Sequence, residues 1–215
     1  MPSTIPKTLT ELEQEEAKYK KKLEAEKKLG RKEGMAKAYG NLGTIYLTAG
    51  HLDQAEEMFK NSLEMEEALA DKIGMASDYG YLGTIYQRRN NLDLAEDMYK
   101  KSLEINQDLN HEKGMATIYR KLGEVYYTRR DLDKAEAMFK KNLEMEEKLG
   151  NKEPMAMAYG FLGDIYRIRT DLDQAEEMYK KSLVLFQAIG SGKMMEVMRT
   201  MLINIDKRKK ETIKS

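Results

Sequence analysis

The sequence predicts an all-α protein built as a solenoid of stacked helical hairpins. Three observations support this prediction. The composition is rich in helix-forming residues with only three prolines, one motif returns every 40 residues, and short breaks separate amphipathic segments at matching places in each copy. Repeating helical units of this kind bury their apolar faces only against their neighbours, which is the architecture of a solenoid.

Composition and charge exclude several classes of function. The chain has 215 residues, and 37 Lys and Arg balance 37 Asp and Glu. This zero net charge argues against nucleic acid as a partner. Without cysteine, and with only two histidines, the chain has almost no material for a metal cluster or a catalytic triad, so neither a metal nor a cofactor is expected. The sequence contains no apolar run long enough to span a membrane and no signal peptide, so a cytoplasmic location is expected.

The repeated motif is Leu-Gly-x-x-Tyr, which occurs four times in strict register. Each copy has a tyrosine three residues before the leucine and, nine residues after the final tyrosine, an alanine. An aromatic residue follows the alanine four positions later. In the first copy these positions are Tyr39, Leu42, Gly43, Tyr46, Ala55 and Phe59.

Each copy is predicted to form two helices, because its apolar residues recur at steps of three and four. Breaks inside the copies begin at Gly50, Asn90, Arg130 and Thr170. The predicted N-caps of the second helices are Asn91, Asp131 and Asp171. Between copies, left-handed C-terminal caps are predicted at Gly30, Asn110, Gly150 and Gly190. The N-caps that follow them are predicted at Asp71, Asn151 and Ser191.

Partial copies flank the four full ones. The first aligns with a second helix through Leu12, Tyr19 and Leu23. The last aligns with a first helix, with Ile203 at the position of the repeat glycine. Because that glycine is expected to let two helices of a hairpin approach closely, a helix without a hairpin partner tolerates isoleucine there. The predicted organisation is one continuous domain, with a disordered segment 1–6, a half-repeat helix 7–30, repeats 31–70, 71–110, 111–150 and 151–190, a capping helix 191–209 and a tail 210–215.

The pattern Tyr-x-x-Leu-Gly-x-x-Tyr followed by Ala-x-x-x-Phe/Tyr resembles the tetratricopeptide repeat (TPR) signature, with tyrosine in place of the usual tryptophan. The usual period is ~34 residues, so these repeats are extended, as in Leu-Gly-Asn polarity adaptors, kinesin light chains and many bacterial arrays. The resemblance covers roughly residues 10–205. It implies a right-handed α-solenoid of tetratricopeptide helical hairpins whose first helices line a concave groove, and a non-catalytic role in holding peptide segments of other proteins.

By analogy with this family, the groove is lined by the face of the first helices that points away from the Tyr/Leu/Tyr stripe. Residues on this face differ between copies, and aromatic side chains there accompany basic ones, as is typical of interfaces. Ordinary drift of a solvent face is the alternative interpretation. The expected partner is a protein segment of mixed charge with apolar anchors. The candidate binding residues are Lys37, Asn41, Tyr81, Arg88, Arg120, Lys121, Glu124, Tyr127, Phe161, Asp164 and Arg167.

Two other functions stay open at this point. One is a self-associating scaffold, a homo-oligomer formed through the Met-rich C-terminal helix, because Ile203 lies off the stripe of that helix that is expected to be buried. The other is a regulatory segment of a larger assembly. Glutamate clusters such as Glu56–Glu57 and Glu64–Glu67 are interpreted as solvated helix faces. Arginines at the ends of the first helices, including Arg89 and Arg169, are expected to line a rim that could attract an acidic partner.

Overall fold

The computed structural model describes residues 8–214, and those residues form ten α-helices and no strand. The predicted disordered segment 1–6 lies outside the described residues. The helices are α1 (Leu9–Lys28), α2 (Lys32–Ala49), α3 (Leu52–Leu69), α4 (Lys72–Arg88), α5 (Leu92–Asp108), α6 (Glu112–Thr128), α7 (Leu132–Leu149), α8 (Lys152–Ile168), α9 (Leu172–Ala188) and α10 (Gly192–Lys214). The all-α prediction is confirmed.

The helices form two compact units, the first ending at Leu109 and the second beginning at Asn110. In unit 1, each of α1 to α4 packs against the next helix along the chain, and in unit 2 each of α6 to α9 does so. The hairpins α2–α3, α4–α5, α6–α7 and α8–α9 fall within the four predicted repeats. The single continuous domain stays a prediction.

In every hairpin the repeat glycine lies against the aromatic ring of the second helix. A Cβ atom on Gly43 would lie 2.9 Å from the Phe59 ring, and one on Gly163 would lie 2.7 Å from the Tyr179 ring. Gly83 and Gly123 meet Tyr99 and Phe139 in the same way. All four rings are fully buried. Glycine therefore permits the close approach that was predicted from its position, because any side chain would collide with the ring.

A buried hydrogen bond joins the two helices of each hairpin at one repeat position. The Ser62 hydroxyl donates to the Ala36 carbonyl at 3.1 Å, and Asn142 Nδ2 donates to the Ala116 carbonyl at 2.8 Å. Ser102 and Ser182 make the equivalent bonds to Ala76 and Ala156. These donors are almost completely buried, and the bond offsets the cost of removing a polar group from water.

Most predicted caps are confirmed. The predicted left-handed caps have positive φ angles at Gly30, Asn110, Gly150 and Gly190. The side chains that accept a backbone N–H three residues ahead are Asp71, Asn91, Asp131 and Asp171. The side-chain cap at Asn151 is wrong, because its amide instead donates to Glu146 at 2.8 Å. Ala70 has a positive φ angle that the sequence did not predict. Arg130 and Thr170 also have positive φ angles, and they lie at the breaks inside repeats 3 and 4.

The predicted tail is wrong for residues 210–214, because α10 continues to Lys214. Three ion pairs stabilise α10 around residues 209 and 210. Lys210 pairs with Asp206 one turn earlier at 2.6 Å, and Lys209 reaches Asp173 and Glu176 of α9 at 2.5 and 2.6 Å. No glycine or proline follows Gly192 to end the helix.

A buried carboxyl group of α4 and a half-buried one of α3 lie together in unit 1, where the glutamates of α3 were interpreted as solvated. Asp78 of α4 is only 3% exposed, and neither its Oδ2 nor Oε2 of Glu66 has a hydrogen-bond partner among the described residues. Burial raises the pKa of Asp78 to about 6. Burial, followed by repulsion from Asp78, raises the pKa of Glu66 to about 8. The solvated-face interpretation is therefore wrong for Glu66, because its side chain points into the α3–α4 contact.

We expect Gly163→Ala to lower the free energy of unfolding by about 2–3 kcal/mol, because its methyl group would displace the Tyr179 ring. Gly160→Ala is the matched control on the same helix, since its Cβ would lie 3.8 Å from the nearest atom. The control should be neutral or stabilising by up to about 1 kcal/mol. Urea denaturation followed by circular dichroism measures both, and equal effects of the two substitutions would contradict the ring contact.

We expect Ala70→Gly to stabilise the protein by about 0.5–1 kcal/mol, because Ala70 has φ 54°, which is costly for a residue with a Cβ atom. The same repeat position holds Gly150, whose added Cβ would meet no atom within 4 Å. Gly150→Ala should therefore destabilise by a similar amount through backbone strain alone. Thermal denaturation of both variants tests this, and a lower midpoint for Ala70→Gly would refute it.

Stability should fall as the pH rises from about 4 to about 8. The native state keeps protons on Glu66 and Asp78 that the unfolded chain releases near its ordinary pKa of about 4. Glu66→Gln keeps the size of the side chain and removes one of these protons. Between pH 5 and pH 8, we expect the free energy of unfolding of the wild type to fall by about 1–2 kcal/mol more than that of Glu66→Gln. This difference is kept small because solvent screens the partly exposed Glu66. Parallel pH profiles of the two proteins would contradict this assignment.

Candidate peptide-binding face

The candidate binding residues lie on the helices α2, α4, α6 and α8, and we call their surface the first-helix face. All eleven are accessible to solvent, whereas the stripe that includes Leu42 and Tyr46 is buried. The four candidates in unit 1 are exposed, and the seven in unit 2 are half-buried. The two units therefore present different surfaces, open in unit 1 and more sheltered in unit 2.

The candidates in unit 1 do not form one cluster. Lys37 pairs with Glu33 at 2.6 Å on the exposed part of α2, and the Asn41 amide donates to the Lys37 carbonyl. Arg88 donates to the Leu47 carbonyl at 2.7 Å and so ties the end of α4 to α2. These contacts hold each polar side chain within its own part of unit 1.

One aromatic ring stands out in unit 1. Tyr81 stacks on the buried Phe59 ring, with centroids 4.6 Å apart and planes 11° from parallel, and it keeps 37% of its surface exposed. Further along the same helix, Gln87 Oε1 accepts a hydrogen bond from the Tyr99 hydroxyl at 2.7 Å, and Thr84 Oγ1 lies 3.2 Å from that hydroxyl. The buried rings of the second helices thus reach the first-helix face from below.

Among the candidate binding residues of unit 2, the charged side chains form two compact groups. In α6, Arg120 and Lys121 both bind Glu124, with Lys121 at 3.2 Å. In α8, Asp164 accepts a hydrogen bond from the buried Tyr179 hydroxyl at 2.8 Å and pairs with Arg167 at 3.0 Å.

Arg167 completes the second group by donating through Nε to the Tyr179 hydroxyl at 3.2 Å. Burial, together with the charge of Asp164, raises the pKa of Tyr179, so its hydroxyl remains a neutral donor. The charged side chains of unit 2 are therefore held in fixed positions by one another.

Three aromatic side chains lie together in unit 2. Phe161 stacks on the buried Phe139 ring at 4.6 Å with planes 7° from parallel, and Tyr127 meets the edge of Phe161 at 5.8 Å. Met157, one turn before Phe161 on α8, is 36% exposed. The result is a half-exposed apolar surface in which Phe161 is supported by the buried Phe139 ring and Tyr127 by Phe161. We call this surface, together with Met157, the aromatic cluster (Tyr127, Phe161, Met157).

The predicted rim of free arginines is wrong for Arg89 and Arg169. Arg89 binds both Asp53 and Glu56, and Arg169 binds Asp133 and Glu136 in the same arrangement. These carboxylates belong to the preceding repeat, so the arginines join consecutive repeats inside each unit.

The carboxylate at the centre of the first junction is Glu56, which was interpreted from the sequence as part of a solvated helix face. Glu56 accepts hydrogen bonds from the Tyr86 hydroxyl at 2.7 Å, from Lys60 and from Arg89. Burial alone would raise its pKa, but these donors lower the pKa to about 2. The available signal was the recurrence of glutamate directly after the repeat alanine, as in Ala55-Glu56 and Ala135-Glu136.

Two other kinds of site are absent from the part of the chain that the structure describes. Residues 8–214 contain no group of three or more His, Asp or Glu side chains placed to hold a metal ion. Over the same range, no helix is both long enough and apolar enough to cross a membrane.

Solved structures with the same fold are numerous. The crystal structure of BtubC from P. vanneervenii matches with a TM-score of 0.78 and 22% identity, over 94% of this chain and 84% of that chain. MamA matches with a TM-score of 0.58 and 21% identity, over 79% of this chain and 96% of that chain. TPR-like repeats described as a kinesin light chain of Podosopora anserina match with a TM-score of 0.68 and 11% identity, over 85% of this chain and 90% of that chain. At these identities the likeness shows the fold alone.

Sequence comparison gives the family. No curated protein sequence matches this chain. A family model described as the MalT-like TPR region matches residues 31–156, which is more than half of the chain, and a tetratricopeptide repeat model matches residues 156–185. The protein therefore belongs to the tetratricopeptide repeat family, with a MalT-like TPR region and the fold of an α-solenoid of helical hairpins.

Proposed function

We propose that this chain is a non-catalytic adaptor that binds a peptide segment of a partner protein on the first-helix face of unit 2. The observation that carries the proposal is the aromatic cluster, in which the half-exposed Phe161 ring is stacked on the buried Phe139 and meets Tyr127 at its edge. The family supports the coarser part of the proposal, since its helical repeats act as scaffolds for protein–protein interactions.

Pre-fixed aromatic rings favour tight binding. A side chain that is already immobile loses little conformational entropy when a partner covers it, so more of the contact energy appears as affinity. Phe161 and Tyr127 are held in this way before any partner arrives. Aromatic residues of this kind are the most frequent energetic centres of interfaces.

The charged groups favour specificity over affinity. Arg120 and Lys121 share one carboxylate, that of Glu124, which leaves this group with an excess positive charge. The second group, Asp164 with Arg167, is balanced. A partner segment with apolar anchors and mixed charge, placing an acidic residue near α6, would satisfy both groups, and such complementarity fixes the register of a bound chain.

The test begins with peptides selected from a random displayed library on the wild-type chain. We expect Phe161→Asn to weaken the selected peptides at least tenfold, since it removes the ring at the centre of the aromatic cluster. Asparagine is the residue that repeat 1 carries at the same position, as Asn41, so the helix tolerates it. Fluorescence anisotropy with a labelled peptide measures the affinity.

Val184→Ala is the matched control, because Val184 is an apolar side chain that is 62% exposed on the second helix α9. The control should leave the affinity unchanged, and circular dichroism should show that both variants remain folded. Peptides that bind Phe161→Asn as well as wild type would refute the proposed face.

A further inference from the structure

One face of α10 has no helix against it in the described residues. In each hairpin, the second helix covers the Leu-Gly face of the first. α10 aligns with a first helix and packs against α9, where Met198 and Ile205 are buried. Ile203, at the position of the repeat glycine, is 68% exposed, and Leu202 is half-buried. We call this surface the open face, and it comprises Met195, Arg199, Leu202, Ile203 and Asp206.

A regular second helix cannot cover the open face. Where the repeats have glycine, an aromatic ring lies within 3 Å of the place a Cβ atom would occupy, as Phe59 does at Gly43. The Ile203 side chain fills that space. The half-repeat helix α1 of a second copy carries Tyr19 at the ring position, so a head-to-tail stack that completes a repeat from α10 and α1 would bring Tyr19 against Ile203. This excludes an open-ended stack of copies with regular repeat geometry.

We propose that the open face instead pairs with the open face of a second copy, in an antiparallel, two-fold symmetric contact. With Leu202 opposite Ile203 of the second copy, Arg199 lies opposite Asp206, and symmetry repeats the pair on the other side. In such a contact one surface patch meets itself, and opposite charges face each other across an apolar centre. A parallel arrangement would place Arg199 of one copy opposite Arg199 of the other, and repulsion between these like charges disfavours it.

The charges on α10 are available for this contact. Arg199 is exposed and makes no ion pair within the part of the chain that the structure describes. Among the described residues Asp206 pairs only with Lys210, and both side chains are more than 60% exposed. The neighbouring Lys209, by contrast, is occupied by Asp173 and Glu176 of α9. The open face thus carries one unpaired cation and one accessible anion, seven residues apart around the apolar pair.

The contact is small, because it uses one face of one helix from each copy. Stable interfaces bury about 800 Å² on each partner, and smaller ones are transient. We therefore expect a dimer that forms reversibly and depends on concentration, with a dissociation constant on the order of 10–100 μM.

Charge exchange tests the proposal. Sedimentation equilibrium of the wild-type chain from about 5 to 500 μM should show a monomer–dimer equilibrium. Arg199→Glu and Asp206→Arg should each weaken the dimer at least tenfold, because each places like charges opposite one another twice. An equimolar mixture of the two variants should restore dimerisation to within about threefold of wild type, since both pairs in the mixed dimer are again of opposite charge.

Lys193→Glu is the control, because Lys193 is exposed on the side of α10 away from the open face. It should leave the dissociation constant unchanged, and circular dichroism should confirm that all variants are folded. A wild-type chain that remains monomeric at 500 μM would overturn the proposal. So would single variants whose mixture fails to dimerise, or a control that weakens the dimer as strongly as they do.

Discussion

The contact between a glycine and a buried aromatic ring sets the distance between the two helices of every hairpin. Because a Cβ atom at Gly43 or Gly163 would lie within 3 Å of the ring, the helices can approach more closely than side chains normally permit. That approach also brings Ser62 and Ser182 within hydrogen-bonding distance of backbone carbonyls on the first helix. The same ring extends to the first-helix face, where Phe139 supports Phe161. The packing of the hairpins and the support of the candidate site therefore both depend on the distance between the two helices of a hairpin.

A second set of contacts joins consecutive repeats inside each unit and uses a different surface. Glu56 and Glu136 each gather a tyrosine hydroxyl and an arginine from the following repeat, together with a lysine of their own helix. Lys209 brings α10 to Glu176 in the same way. These junctions hold the repeats together in addition to the ring contacts of the first-helix face, such as Phe139 with Phe161. Residues of the first-helix face can therefore differ between copies while the repeats stay in register.

Features that depend on neighbouring residues could be predicted from the sequence, and features that depend on a distant partner could not. The hairpins, the close-contact glycine and the caps at Asp71 and Asp171 follow from local spacing. The burial of Glu56 depends on Tyr86 and Arg89, which lie 30 and 33 residues away, and helical periodicity gives only the direction of a side chain. For the site, variation between copies indicated the face. It could not show that Tyr127 and Phe161 meet, or that Arg120 and Lys121 share Glu124.

The buried rings of the second helices alternate in chemistry along the chain, as Phe59, Tyr99, Phe139 and Tyr179. Each phenylalanine lies beneath an aromatic residue of the next first helix, whereas each tyrosine extends its hydroxyl to polar residues of its own first helix. The buried ring is thereby matched in polarity to the first-helix residue that it contacts, so a change in one favours a compensating change in the other. The chemistry of the buried rings therefore repeats every two hairpins, which is twice the length of the motif.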